Sequence, residues 1–108
     1  MVDMTNALAP QTTRTAEITK LLKILADENR LKIILCLSSG EKCVCQLTDA
    51  IDIPQNLMSH HLKVLKANGI VAGETRGRWV YYSLIDKRLN DFLGQASTFC
   101  HCGEPTCL

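Results

Sequence analysis

Apolar residues recur at helical spacing along most of the chain, and the period drops to two only once. Ile18, Leu21, Leu22 and Leu25 stand at i, i+3, i+4 and i+7 and predict a helix from about Thr15 to Ala26. Leu31, Ile34, Leu35 and Leu37 predict a second, capped by Asp27 or Asn29 and stopped by Gly40. A short third helix, about Val44 to Ile51, turns Val44, Leu47, Ala50 and Ile51 inward. Then comes D-I-P-Q, where Pro54 suits a first helical turn because its missing N–H costs nothing there. The fourth helix carries Leu57, Met58, His61, Leu62 and Leu65 inward and ends at Asn68-Gly69. Alternation next predicts strands at Ile70 to Glu74 and Trp79 to Leu84, joined by T-R-G-R with a tight turn at Arg76-Gly77. Val80, Tyr82 and Leu84 share one face of the second strand; Trp79, Tyr81 and Ser83 share the other. A fifth helix opens at Asp86 with Leu89, Phe92, Leu93, Ala96 and Phe99.

A short helix, a tight turn, a longer helix and a hairpin make a helix-turn-helix with a wing. The expected fold class is therefore mainly α with a small β-hairpin wing, a winged helix-turn-helix. Residues 1–13 lack periodicity and predict a loose, flexible N-terminal arm; 14–98 form the DNA-binding and dimerisation domain; 99–108 form a cysteine-rich C-terminal tail. A chain of 108 residues builds one domain with a modest core. The outer helices, 15–26 and 86–98, carry broader apolar stripes than that core can cover, which predicts a homodimer paired through both across a two-fold axis.

Composition narrows the setting. No apolar run is long enough to span a bilayer, and the N-terminus lacks the basic head and apolar stretch of a signal peptide. The expectation is a cytoplasmic protein with no membrane partner. Its six cysteines then read as reduced thiols, with metal or redox chemistry ahead of a disulfide framework. The net charge of +1 gives no global attraction for nucleic acid, but residues 55–80 set Lys63, Lys66, Arg76 and Arg78 against Glu74 alone. Such a locally basic segment suits either a DNA-facing surface or a plain solvated face.

Four stretches carry a resemblance: L-A-D-E-N-R-L-K-I-I at 25–34, E-K-C-V-C-Q-L at 41–47, Q-N-L-M-S-H-H-L-K-V-L-K-A-N-G-I-V at 55–71, and R-G-R-W-V-Y-Y-S-L at 76–84. Together they resemble the ArsR–SmtB family of metal-responsive repressors, over about Ala16 to Phe92. The resemblance implies a dimeric winged-helix repressor. It would hold double-stranded operator DNA, an inverted repeat, when metal-free, and release it when a metal or other thiol reagent binds. The helix at 55–67 would then lie in the major groove. Its outward residues are Gln55, Asn56, Ser59, His60 and Lys63. Gln and Asn can pair bidentately with adenine edges, while Ser and Lys suit base edges or phosphate. Arg76 and Arg78 at the wing tip would meet phosphate or the minor groove. His61 faces inward as a packing residue, and Lys66 is simply solvated.

The cysteines bear on the inducer. Residues i and i+2 of a regular helix point roughly 200° apart, so Cys43 and Cys45 can grip one ion only near a frayed first turn, which is where they sit. The positive end of the helix dipole there favours thiolates, and thiolates select cadmium, lead, mercury or arsenite over calcium or magnesium. The plain alternative is two small packed hydrophobes. Similar repressors of arsenite, cadmium and lead carry this pair at the start of the same helix. Where some arsenite repressors add a third cysteine, this chain has Thr48, and residues 1–35 hold no cysteine to supply an N-terminal donor. Cys100, Cys102 and Cys107 in the tail are the remaining candidates, with His101 a bystander. Two of them would complete a four-thiolate set for Cd(II) or Pb(II), the favoured inducers; three thiols in all would suit As(III), and Zn(II) stays within reach. The tail could instead form a site of its own. Cys36 reads as a core residue. Persulfide-sensing relatives pair a cysteine of this helix with one near the chain end, but theirs falls one residue earlier, at Leu35 here. A persulfide or thiol-redox repressor using Cys36 and a tail cysteine is the alternative function. A cytosolic thiol enzyme or metal-transfer protein is the remote one: the sequence has no C-x-x-C, no phosphate loop and no paired acid and base, so no enzyme is expected.

Overall fold

The structure is a computed structural model and describes residues 8–99, with side chains from residue 14 onward. Five helices and a three-stranded sheet follow one another as α1 (Leu8–Leu25), α2 (Glu28–Leu37), β1 (Lys42–Cys43), α3 (Val44–Ile51), α4 (Gln55–Ala67), β2 (Val71–Arg76), β3 (Trp79–Leu84) and α5 (Arg88–Ala96), closed by a 3₁₀ turn at Ser97–Phe99. This is the winged helix-turn-helix that the periodicity predicts. No helix among the described residues is long and apolar enough to cross a membrane.

The core is a single apolar cluster. Ile33, Ile34 and Leu37 of α2 meet Leu47 and Ile51 of α3, Met58, Leu62 and Leu65 of α4, and Val71 and Leu84 of the hairpin. Asp27 caps α2, its carboxylate accepting from the Arg30 N–H at 3.1 Å. The turn between α3 and α4 reverses at Asp52, a left-handed residue (φ 46°) whose N–H donates to the Thr48 carbonyl.

Several expectations need correction. The first helix starts at Leu8 rather than about Thr15, so residues 8–13, assigned to a loose arm, are helical; Pro10 falls in the first turn, where helices tolerate it. Residues 1–7 of that arm, and all of the tail from Cys100 on, lie outside the described residues. Leu35, Ala50 and Leu57 face solvent instead of the core, and Ile33 takes an inward place. The hairpin turn is Gly77-Arg78, one residue later than expected, because Gly77 takes the positive φ (64°) that a two-residue connection needs at its first position. Strand β2 therefore extends to Arg76, opposite Trp79. The two-residue β1 was not predicted. It adds to the free edge of β3, giving the antiparallel order β1-β3-β2 with Lys42 opposite Tyr82 and Cys43 opposite Tyr81.

Candidate functional site

Cys43 belongs to two elements at once. It ends β1, and it is the N-cap of α3 with extended backbone (φ −79°, ψ 162°). Its N–H donates to the Gln46 side-chain carbonyl at 2.8 Å, one half of a capping box. Because Cys43 is extended and Cys45 helical, the i, i+2 pair escapes the 200° divergence of a regular helix. The two Cα atoms stand 5.4 Å apart, and the two sulfurs converge to the point of being joined as a disulfide. The extended cap brings one sulfur round to the other, so the pair can close on itself as well as on an ion. Cys43 is buried and Cys45 exposed, so the pair opens outward from the base of the wing.

Cys45 lines an open cleft of about 720 Å³ between α3, α4 and β3. The same cleft is lined by Gln55, Ser59, Lys63 and Lys66 of α4 and by Arg78 and Trp79 of the wing. Four of the seven sequence-predicted DNA readers thus share a cavity with one of the paired cysteines. Asn56 and His60 are exposed on α4 outside it. Thr48 also lines the cleft, but its hydroxyl is turned back onto the Val44 carbonyl at 2.9 Å. Among the described residues no cluster of three or more His, Cys, Asp or Glu side chains could hold an ion. Two sulfurs are what the described residues supply at this cleft; Cys100, Cys102, Cys107 and His101 lie outside them. Cys36 is half-buried on α2 with a free thiol, packed at the edge of the core.

The two wing arginines are in different states. Arg76 donates to both carboxylate oxygens of Glu41 (2.8 and 2.7 Å) and to Glu74 (2.7 Å), with its guanidinium 4.7 Å from the centroid of the Tyr81 ring. The hydrogen bond from Arg76 and its charge hold the Glu74 carboxyl below the usual carboxylate range. Arg78 is exposed and makes no ion pair among the described residues. Glu41 and Trp79 are the contributors that sequence reasoning missed. Placing Arg76 and Glu74 on one strand face follows from period two. The Glu41 contact spans 35 positions and has no local signature.

His61 is buried on the inner face of α4, as its spacing predicts. Its Nδ1 accepts from Arg30 Nε at 3.1 Å, and Arg30 also donates to the Ile24 carbonyl. Burial pushes the imidazole below its ordinary pKa; Asp27, 3.9 Å away, opposes this, and Arg30 adds to it. A neutral imidazole thus ties α4 to the start of α2 and the end of α1. On the far side, Ile18 and Leu22 of α1 and Phe92 of α5 are exposed and line one apolar groove of about 530 Å³.

Comparison with known proteins agrees with this geometry. Residues 27–72 match the bacterial regulatory protein, arsR family. The chain is 45% identical over 85 residues to the HTH-type transcriptional repressor SmtB of Mycobacterium tuberculosis, covering 79% of this chain and 62% of that one. It therefore spans less than two thirds of that relative's length. It is 41% identical to the arsenical resistance operon repressor of Bacillus subtilis, over 68% of this chain and 70% of that one. It is 38% identical to a cadmium resistance transcriptional regulatory protein, a CadC homolog of Staphylococcus aureus, over 74% and 67%. Among solved structures, the transcriptional repressor BigR of Xylella fastidiosa superposes with a TM-score of 0.78 at 28% identity, covering 89% of this chain and 97% of that one. A homodimeric winged helix-turn-helix DNA-binding domain from Mycobacterium bovis gives 0.65 at 27%, covering 89% and 86%.

Proposed function

The chain belongs to the arsR family of bacterial regulatory proteins, and from that premise we propose that it is a cytoplasmic, non-enzymatic transcriptional repressor whose dimer holds an inverted-repeat operator and is released by a thiophilic metal. The reading keeps 14–98 as the DNA-binding and dimerisation domain and 99–108 as a donor-bearing tail. The dimer would form by burying Ile18, Leu22 and Phe92 against a second copy. The observation that carries the reading is the shared cleft: Cys45 and the readers Gln55, Ser59, Lys63 and Arg78 line one cavity.

The donor chemistry fits a soft ion. Cys43 and Cys45, reduced, present two thiolates side by side, and Cys100, Cys102 or Cys107 would supply the rest. Four thiolates suit Cd(II) or Pb(II), three suit As(III), and Zn(II) accepts either sulfur or nitrogen partners. The protein's own part is transmission. Cys43 is fixed in the ladder opposite Tyr81 and Cys45 sits in the first turn of α3, so a change in their spacing is felt by β3 and α3 together. Leu47 and Ile51 of α3 and Met58 and Leu62 of α4 share one apolar cluster, each helix packing against α2 between them. A shift there misplaces two reading helices that must match half-sites about one DNA turn apart. The coupling expected is about 1–3 kcal/mol, roughly 5- to 150-fold in operator affinity.

The test is operator binding by fluorescence anisotropy with and without Cd(II), Pb(II) or As(III), alongside thiolate-to-metal absorption in the ultraviolet. Cys45→Ser is expected to bind the operator as the parent does and to lose metal-driven release. Release that survives the substitution would remove the pair from the sensor. Ser59→Ala and Arg78→Ala are expected to weaken operator binding with the metal stoichiometry unchanged; unaltered affinity in both would overturn the groove assignment.

A further inference from the structure

The same two sulfurs that would take the metal are joined to each other in this structure, within an intact sheet and core. With the disulfide closed, Cys43 pairs with Tyr81, its N–H reaches Gln46, and α3 and α4 both pack into the core against α2. Gln55, Ser59, Lys63 and Arg78 still line the open cleft. The covalent loop closed by the bond spans only residues 43 to 45, so it constrains little beyond the first turn of α3.

We propose that Cys43 and Cys45 form a reversible redox site, and that its disulfide is a metal-blind form of the protein that keeps its grip on DNA. This rests on the metal-release reading above. The disulfide takes both soft donors out of use in a fold whose reading helix is seated in the core, so oxidation locks the operator-bound form instead of releasing it. The two positions divide the chemistry. Cys45 is exposed at the helix start and meets the oxidant; Cys43 lies buried beside it and resolves. With a hydroperoxide, the Cys45 thiolate attacks one peroxide oxygen and the O–O bond breaks. The departing oxygen leaves as water (as alcohol for an organic peroxide), and Cys45 becomes a sulfenic acid. The Cys43 sulfur then attacks the Cys45 sulfur, the S–O bond breaks, and a second water leaves with the Cys43 proton. Two thiols and one hydrogen peroxide give one disulfide and two waters; the two sulfurs lose the two electrons that the peroxide oxygens gain. A dithiol reductant reverses the step by exchange.

The experiment uses the full chain treated with one equivalent of hydrogen peroxide, then mapped by peptide mass spectrometry and titrated with operator DNA and Cd(II). The expected product links Cys43 to Cys45, binds the operator within about threefold of the reduced protein, and shows no Cd(II)-driven release until dithiothreitol restores it. A bond to Cys36 or to a tail cysteine in place of Cys43–Cys45 would overturn the proposal. So would a tenfold or larger loss of operator affinity in the oxidised protein, or Cd(II) release that persists in it. Cys43→Ser, treated with an excess of hydrogen peroxide, gives an independent readout: without its resolving partner, Cys45 is expected to gain the mass of two or three oxygens, one from each peroxide consumed, and a failure to do so would count against the assigned roles. If the reduced protein shows no release with any of the metals, the functional reading fails instead, and the mapped bond and its DNA affinity judge the redox site separately.

Discussion

The two halves of this molecule are held together by different forces. The helical half is dry: Ile33, Ile34, Leu47, Met58, Leu62 and Leu65 are almost wholly removed from water, and the one buried polar side chain among the described residues, His61, is satisfied by Arg30. The half that carries the cysteines and the wing is wet. Its edge strand β1 is two residues long, Trp79 is half exposed, and its side-chain ties are the Glu41–Arg76–Glu74 group and the stack on Tyr81. Apolar burial is worth far more than exposed ion pairs. The difference teaches where a signal can be written cheaply. A few sulfur and hydrogen-bond contacts at the wet edge can rearrange, while the dry half stays folded and passes the movement to α4 as a rigid body.

The comparison breaks most visibly in the core. Leu65→Ala empties a fully enclosed site and is expected to cost about 2–5 kcal/mol, read as a lower urea midpoint with the slope unchanged. A loss as small as that of a wing substitution would mean the two halves do not differ as described. The next effect in size is the pH dependence of His61. Its pKa in the folded protein is depressed by burial, so the unfolded chain binds the proton more readily. Stability is therefore full above the ordinary histidine value of about 6.5 and is lost as pH falls below it. The melting temperature should drop on acidification from pH 7.5 to 5.5, and less so in His61→Gln; parallel profiles would exclude His61 as the cause. The smallest effect on stability is expected at the wet edge. Arg76→Ala should leave the urea midpoint nearly unchanged yet reduce metal-driven release, because Glu41 and the wing are uncoupled. Glu41→Gln should act the same way, and the double variant no worse than either; additive losses would show that the contact does not couple them.

Much of the dry half was legible beforehand, and the reason is periodicity. Met58, His61, Leu62 and Leu65 are inward at spacings that only one helix face allows, and all four are buried. Where the pattern is apolar all round, it cannot choose a face: I-I-L-C-L in α2 reads equally well with Leu35 inside, yet Leu35 is about half exposed. Leu57 and Ala50 fail for the same reason, standing at the rim of an apolar stripe. The wet half was legible only in part. The C-V-C pair announced its own chemistry. The extended cap that lets the sulfurs meet depends on β1 joining β3, a pairing between residues about 40 positions apart that no local signal encodes. The Glu41–Arg76 contact is hidden in the same way.

The carboxylate pair around Arg76 has one more consequence, in the currency of counterions. Arg76 contributes +1, Glu41 and Glu74 contribute −1 each, and the group sums to −1. A wing that looks doubly cationic on paper therefore approaches the DNA polyanion with Arg78 as its only uncompensated arginine. Ions condensed on DNA are displaced by net positive charge, so operator affinity should count one cation per wing when salt is raised, not two. The slope of log affinity against log salt should shrink by about one for each Arg78 removed and stay put when Arg76 is removed. In a protein of net charge +1, that one side chain would set much of how strongly the wing feels the ionic strength of the cell.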